Sequence, residues 1–69
     1  MATYCILFSV RTRTGELKGN QRWVSASSAG AAGRAFHADP DLRADIAAQE
    51  GISERSITGI RIDSITACG

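Results

Sequence analysis

The sequence predicts an α+β fold. Residues 1–69 read as one small domain in the order β-β-α-α-β, with a three-stranded antiparallel sheet of order 2-1-3 and both helices on one face. Three observations predict it. An alternating apolar stretch opens the chain, an Ala-rich run bounded by helix signals fills its middle, and a β-branched stretch closes it. A core built from 69 residues supplies only about 3–5 kcal/mol, so a second copy or a partner would add needed stability.

In "TYCILFSVRT", Tyr4, Ile6, Phe8 and Val10 fall on one face and Cys5, Leu7, Ser9 and Arg11 on the other. That period of two is a strand. "RTGELKGN" follows, with Gly15 and the Gly19-Asn20 pair as turn signals. "QRWVSA" then reads as the return strand of a hairpin, with Val24 and Ala26 on one face and Trp23 on the other. "SSAGAAGRAFHA" is the first helix, with Ser27 or Ser28 as its N-cap. Gly30 and Gly33 each cost about 1 kcal/mol relative to Ala inside a helix. A close approach of helix to sheet would offset that, and Phe36 is the large anchor. In "DPDLRADIAAQEG", Asp39 is the expected cap, Pro40 the first helical residue and Gly51 the stop. Leu42 and Ile46 mark the buried face.

From Ile57 to Thr66, six of ten residues are β-branched, which favours a strand. A right-handed crossover places it beside the first strand. Tyr4, Ile6, Phe8, Val10, Val24, Ala26, Ile60 and Ile62 would then face the helices. Cys5, Leu7, Trp23 and Ile65 would sit among polar residues on the bare face. Such a face invites a second copy, giving a homodimer, or another partner. Cys5 and Cys68 would be neighbours there, expected as free thiols in a reducing compartment.

Composition narrows the function. Hydrophobic residues make up 43% and charged residues 22%, the balance of a globular chain rather than a disordered one. No apolar run reaches the roughly 18 residues that span a bilayer. The start "MATYCILFSV" has no basic segment and no small-residue cleavage site, so a cytoplasmic location is expected. Two cysteines and one histidine, His37, do not make a zinc site, and no cofactor is expected. His37 with Ser25, Ser27 and Ser28 lacks an orienting carboxylate and a nucleophile elbow, which argues against an enzyme. Residues 1–38 carry five basic side chains against one acidic, a net +4; residues 39–69 carry three against six, a net −3. Seven of the eight basic residues are Arg, the side chain suited to paired hydrogen bonds with carboxylate or phosphate.

Two local patterns suggest nucleic acid. "IAAQEGISERSI" resembles the helix-turn-helix of bacterial repressors and response regulators. That resemblance implies a DNA-binding regulator with Gly51 in the turn, Ile46, Ile52, Ile57 and Ile60 in the core, and Arg55 and Ser56 facing bases. Gly59 would then fall inside the recognition helix, where glycine is costly, and the isoleucines spread over too wide an arc. Asp45, Glu50, Glu54 and Asp63 would repel phosphates. "GAAG" at Gly30–Gly33 has the spacing of a KH loop, but follows two strands and has Ala at both middle positions. The strand reading is therefore preferred, and specific nucleic-acid binding is not expected.

The hairpin, the "VSASS" stretch, the Ala-rich helix and the final Ile strand together resemble short accessory proteins of bacteriophages and mobile elements, anti-CRISPR proteins among them. The resemblance covers most of the chain and rests on architecture and size. It implies a non-enzymatic inhibitor that binds a bacterial protein complex in the host cytoplasm. It carries no site residues with it. The chain's own pattern points to Arg11, Arg13, Lys18 and Arg22 on the hairpin with Trp23 beside them, or to the acidic residues of the second helix.

Overall fold

Alternation in the opening residues produces the central strand of a three-stranded antiparallel sheet of order β2-β1-β3, in a computed structural model that describes residues 1–15 and 17–68, with the backbone alone at Leu17 and Lys18. The strands are β1 (Ala2–Thr12), β2 (Leu17–Ala26) and β3 (Ile57–Cys68), and the helices are α1 (Ala29–Ala38) and α2 (Leu42–Glu50). The order β-β-α-α-β is the expected α+β architecture.

Register follows from the buried stripe. Ile6, Phe8 and Val10 are buried on the helix side of β1. They stand opposite Arg22, Asn20 and Lys18 of β2, and opposite Ile65, Ile62 and Ile60 of β3. From the helices, Ala32, Phe36, Leu42, Ile46 and Ala47 close the core, with Ile57 from β3. The Phe8 and Phe36 rings lie 5.0 Å apart, tilted by 51°, a favourable aromatic geometry. Gly33 explains how α1 approaches so closely. A Cβ there would lie 3.3 Å from Ile65 Cδ1 and 3.7 Å from Ile62 Cδ1.

Several expectations are corrected. The hairpin turn closes at Thr12–Gly15, where the Gly15 amide donates to the Thr12 carbonyl at 2.9 Å and Gly15 takes a φ of 86°. Gly19 and Asn20 lie within β2, opposite Ser9 and Phe8; an edge strand tolerates such a glycine. Helix α2 begins at Leu42 rather than Pro40, with Asp41 at its N-cap position and no side-chain cap. Asp39 is otherwise engaged, accepting from the Asp41 amide at 2.9 Å and from Arg22 at 2.7 Å. Gly51 does end α2, in the left-handed conformation at φ 66°.

Ile65 moves to the opposite face from the one expected. Leu7 pairs with Ser64 and Phe8 with Ile62, so Asp63 is an extra residue, a β-bulge. It reverses the alternation and turns Ile65 towards the helices, packed against the core. A second irregularity at Thr58 puts Ile57 on the core side, opposite Thr12. The helix-turn-helix arrangement does not form. After Gly51 the chain makes a 3-10 turn at Glu54–Ser56 and enters β3. The Arg43 guanidinium donates to the Ile57 carbonyl, which ties α2 to the start of that strand. Among the described residues, no helix is long and apolar enough to cross a membrane.

Candidate functional site

The second face of the sheet has no helix on it. The alternation of β1 sends Cys5, Leu7, Ser9 and Arg11 there, and register brings up Gln21 and Trp23 from β2 and Arg61 from β3. Leu7 is 44% exposed and Trp23 56% exposed. They sit diagonally, because Cys5 pairs with Trp23 and Leu7 with Gln21. With Met1, they are the large hydrophobic side chains left in solvent among the described residues.

Towards the hairpin end the face becomes polar. The Ser9 hydroxyl donates to Asp63 Oδ2 at 2.5 Å, and Arg61 Nε donates to Asp63 Oδ1 at 3.1 Å. The Ser9 hydrogen bond, then the Arg61 charge, hold the Asp63 carboxyl below the usual carboxylate range. Ser9, Arg11, Gly59, Ile60 and Arg61 line a groove of about 300 Å³. Gly59 leaves its floor open, since a Cβ there would meet nothing within 4 Å. At the other end, burial first and the Cys68 thiol second push the Cys5 thiol up. Cys5 Sγ also lies 3.8 Å from Gln21 Oε1, and both cysteines are free thiols.

The residues expected at the contact divide. Arg11 and Trp23 lie on the bare face. Arg13 is exposed beyond the end of β1 and donates through Nε to the Arg55 carbonyl at 3.1 Å. Arg22 turns to the helix side, where it pairs with Asp39 at 2.7 Å and Asp45 at 3.2 Å. It thereby cross-links β2 to α2 and spends part of the acidic charge of that helix. The Lys18 side chain lies outside the described residues. Sequence reasoning missed Arg61 and Asp63. Arg61 was findable, because it lies between Ile60 and Ile62 and must point away from the core. Asp63, two residues on, shares that face by the same parity; its contact with Ser9 was not findable, because it depends on the register of β3 against β1.

Ser28 caps α1 by accepting from the Ala31 amide at 3.1 Å, and the exposed His37 ring stacks edge-on to Phe36 at 5.4 Å. Among the described residues, no group of three or more His, Cys, Asp or Glu side chains could hold a metal ion.

The arrangement is an open surface with an apolar patch and a cationic end, a geometry suited to docking. No protein-family model matches the chain, and no curated protein or solved structure matches it significantly.

Proposed function

We propose that the chain is a non-enzymatic binding protein that acts through the bare face of its sheet, docking on a bacterial protein complex and blocking it. One observation carries the docking part. Leu7 and Trp23 stand 44% and 56% exposed, diagonal to one another on an uncovered face. Trp is among the residues that supply most of the energy at protein interfaces, and its full burial by a partner is worth several times thermal energy. The blocking part, and a host-cytoplasmic location, are supported by the resemblance in size and architecture to small phage accessory proteins. The DNA-regulator reading has lost its recognition helix to β3.

Affinity capture from a bacterial lysate, with and without nuclease, tests this. The expected result is a protein partner that survives nuclease and is recovered roughly tenfold less with Trp23→Ala, the scale of a single interface anchor. Loss of the partner on nuclease treatment, or full recovery with Trp23→Ala, would overturn the reading. Recovery of a second copy of the chain alone would mean that the face serves self-association.

A further inference from the structure

The groove at the cationic end has features that a merely solvated surface does not require. Arg11 and Arg61 line it from neighbouring strands, diagonal to each other across β1 and β3. Arg11 stands opposite Gly59, whose missing side chain keeps the floor open. Arg61 is oriented by Asp63 through Nε at 3.1 Å, and Asp63 is itself fixed by the Ser9 hydroxyl at 2.5 Å. That side-on contact leaves the terminal Nη groups of Arg61 as a fork towards solvent, and a guanidinium fork matches a carboxylate with two parallel hydrogen bonds.

We propose that this groove receives one aspartate or glutamate carboxylate from the protein partner, with an apolar side chain two residues away settling on Leu7. The inference rests on the docking surface proposed above and names the chemistry of what docks. Charge selects the occupant. Arg11 and Arg61 against Asp63 leave the groove with a formal +1, which one carboxylate neutralises. A phosphate dianion would overfill it beside the Asp63 carboxylate. A single-stranded nucleic acid would want successive aromatic platforms, and the face offers Trp23 alone. A second copy of the chain fits poorly, because the one carboxylate that register places on this face among the described residues, Asp63, is already bonded to Ser9 and Arg61. Spacing sets the rest. Leu7 and Ser9 are two residues apart on one face, about 6.6 Å, as are positions i and i+2 of an extended partner.

The test uses the isotope-labelled full chain at constant ionic strength. The probes are the capped peptide Leu-Thr-Glu-Thr, the same peptide with glutamine for glutamate, inorganic phosphate and oligothymidylate. The glutamate peptide is expected to shift the amides of Ser9, Arg11, Gly59 and Arg61. The glutamine peptide should bind roughly tenfold more weakly, as should the glutamate peptide to Arg11→Ala or Arg61→Ala. Asp63→Asn should let phosphate bind, because it removes the charge that excludes a dianion. Equal binding of the glutamine peptide, tighter binding of phosphate or oligothymidylate by the unmodified chain, or unmoved groove amides at saturation would overturn the proposal. Partner capture separates the two claims. If Trp23→Ala loses the partner while Arg11→Ala and Arg61→Ala keep it, the docking surface stands and the carboxylate groove falls.

Discussion

Asp63 shows how much one residue can set. As the bulged residue of β3 it reverses the alternation, and its carboxylate is held low by Ser9 and Arg61. A carboxylate whose folded pKa is depressed stabilises above its unfolded value, about 3.9, and loses that contribution as pH falls through the folded value. The stability difference between the wild type and Asp63→Asn should therefore be constant near neutrality and shrink below about pH 4. Chemical denaturation across that range checks it; an unchanged difference at low pH would assign the effect to packing. Cys5 makes a second prediction. Its thiol is raised by burial first and by the Cys68 thiol second, so at mildly alkaline pH it should alkylate more slowly than a peptide thiol. Cys68→Ala should speed the reaction partway. No change on that substitution would mean that the two thiols do not sense each other. The expectation that the pair are neighbours holds, but diagonally, since Thr3 pairs with Cys68 and Cys5 with Thr66. Both are free thiols, with the Cys68 thiol near enough to act on that of Cys5. Thiol counting on the denatured, unreduced chain should find both free.

At the scale of elements, the two helical glycines of α1 should behave differently. Gly30 has ordinary space, with Arg34 Nη1 at 3.5 Å from an added Cβ, so Gly30→Ala should stabilise by about 0.5–1 kcal/mol through helix propensity. Gly33→Ala gains the same propensity but presses on Ile65 Cδ1 at 3.3 Å, so thermal melting should place it clearly below Gly30→Ala. Equal gains would mean that α1 sits farther from the sheet. Strand β3 has a test built on its period. Ile60→Asp and Ile62→Asp should each unfold the domain, while Arg61→Ala between them should change stability by no more than about 0.5 kcal/mol, the scale of a surface pair. These elements were legible in different degrees. The alternation of β1 and the β-branched content of β3 were plain, because each writes one face per residue parity. The face of Ile65 was not, because a bulge inserts one residue without any marker of composition. The start of α2 was misread because Asp39 carries a capping side chain, and only the folded chain shows it committed to Arg22 and to the Asp41 amide.

For the whole molecule, register sorts the charges between the two faces of the sheet. Arg22 is absorbed by Asp39 and Asp45 on the helix side, which leaves Arg11 and Arg61 with Leu7 and Trp23 on the bare side. The sequence showed that a bare face must exist, because three strands with both helices on one side leave the other uncovered. It placed Trp23 and Arg11 there by parity alone. It did not show the groove, which depends on register bringing Arg11, Gly59 and Arg61 together across a long stretch of chain. Trp23 is the only tryptophan, so incorporation of 5-fluorotryptophan places a single fluorine resonance on the proposed docking surface. Recorded on the free chain and on the complex recovered by capture, in the presence of a soluble paramagnetic agent, it reads directly whether that surface is covered. A docking surface at Trp23 gives a resonance that broadens in the free chain and is shifted and protected in the complex; one that stays equally accessible in the complex rules that surface out.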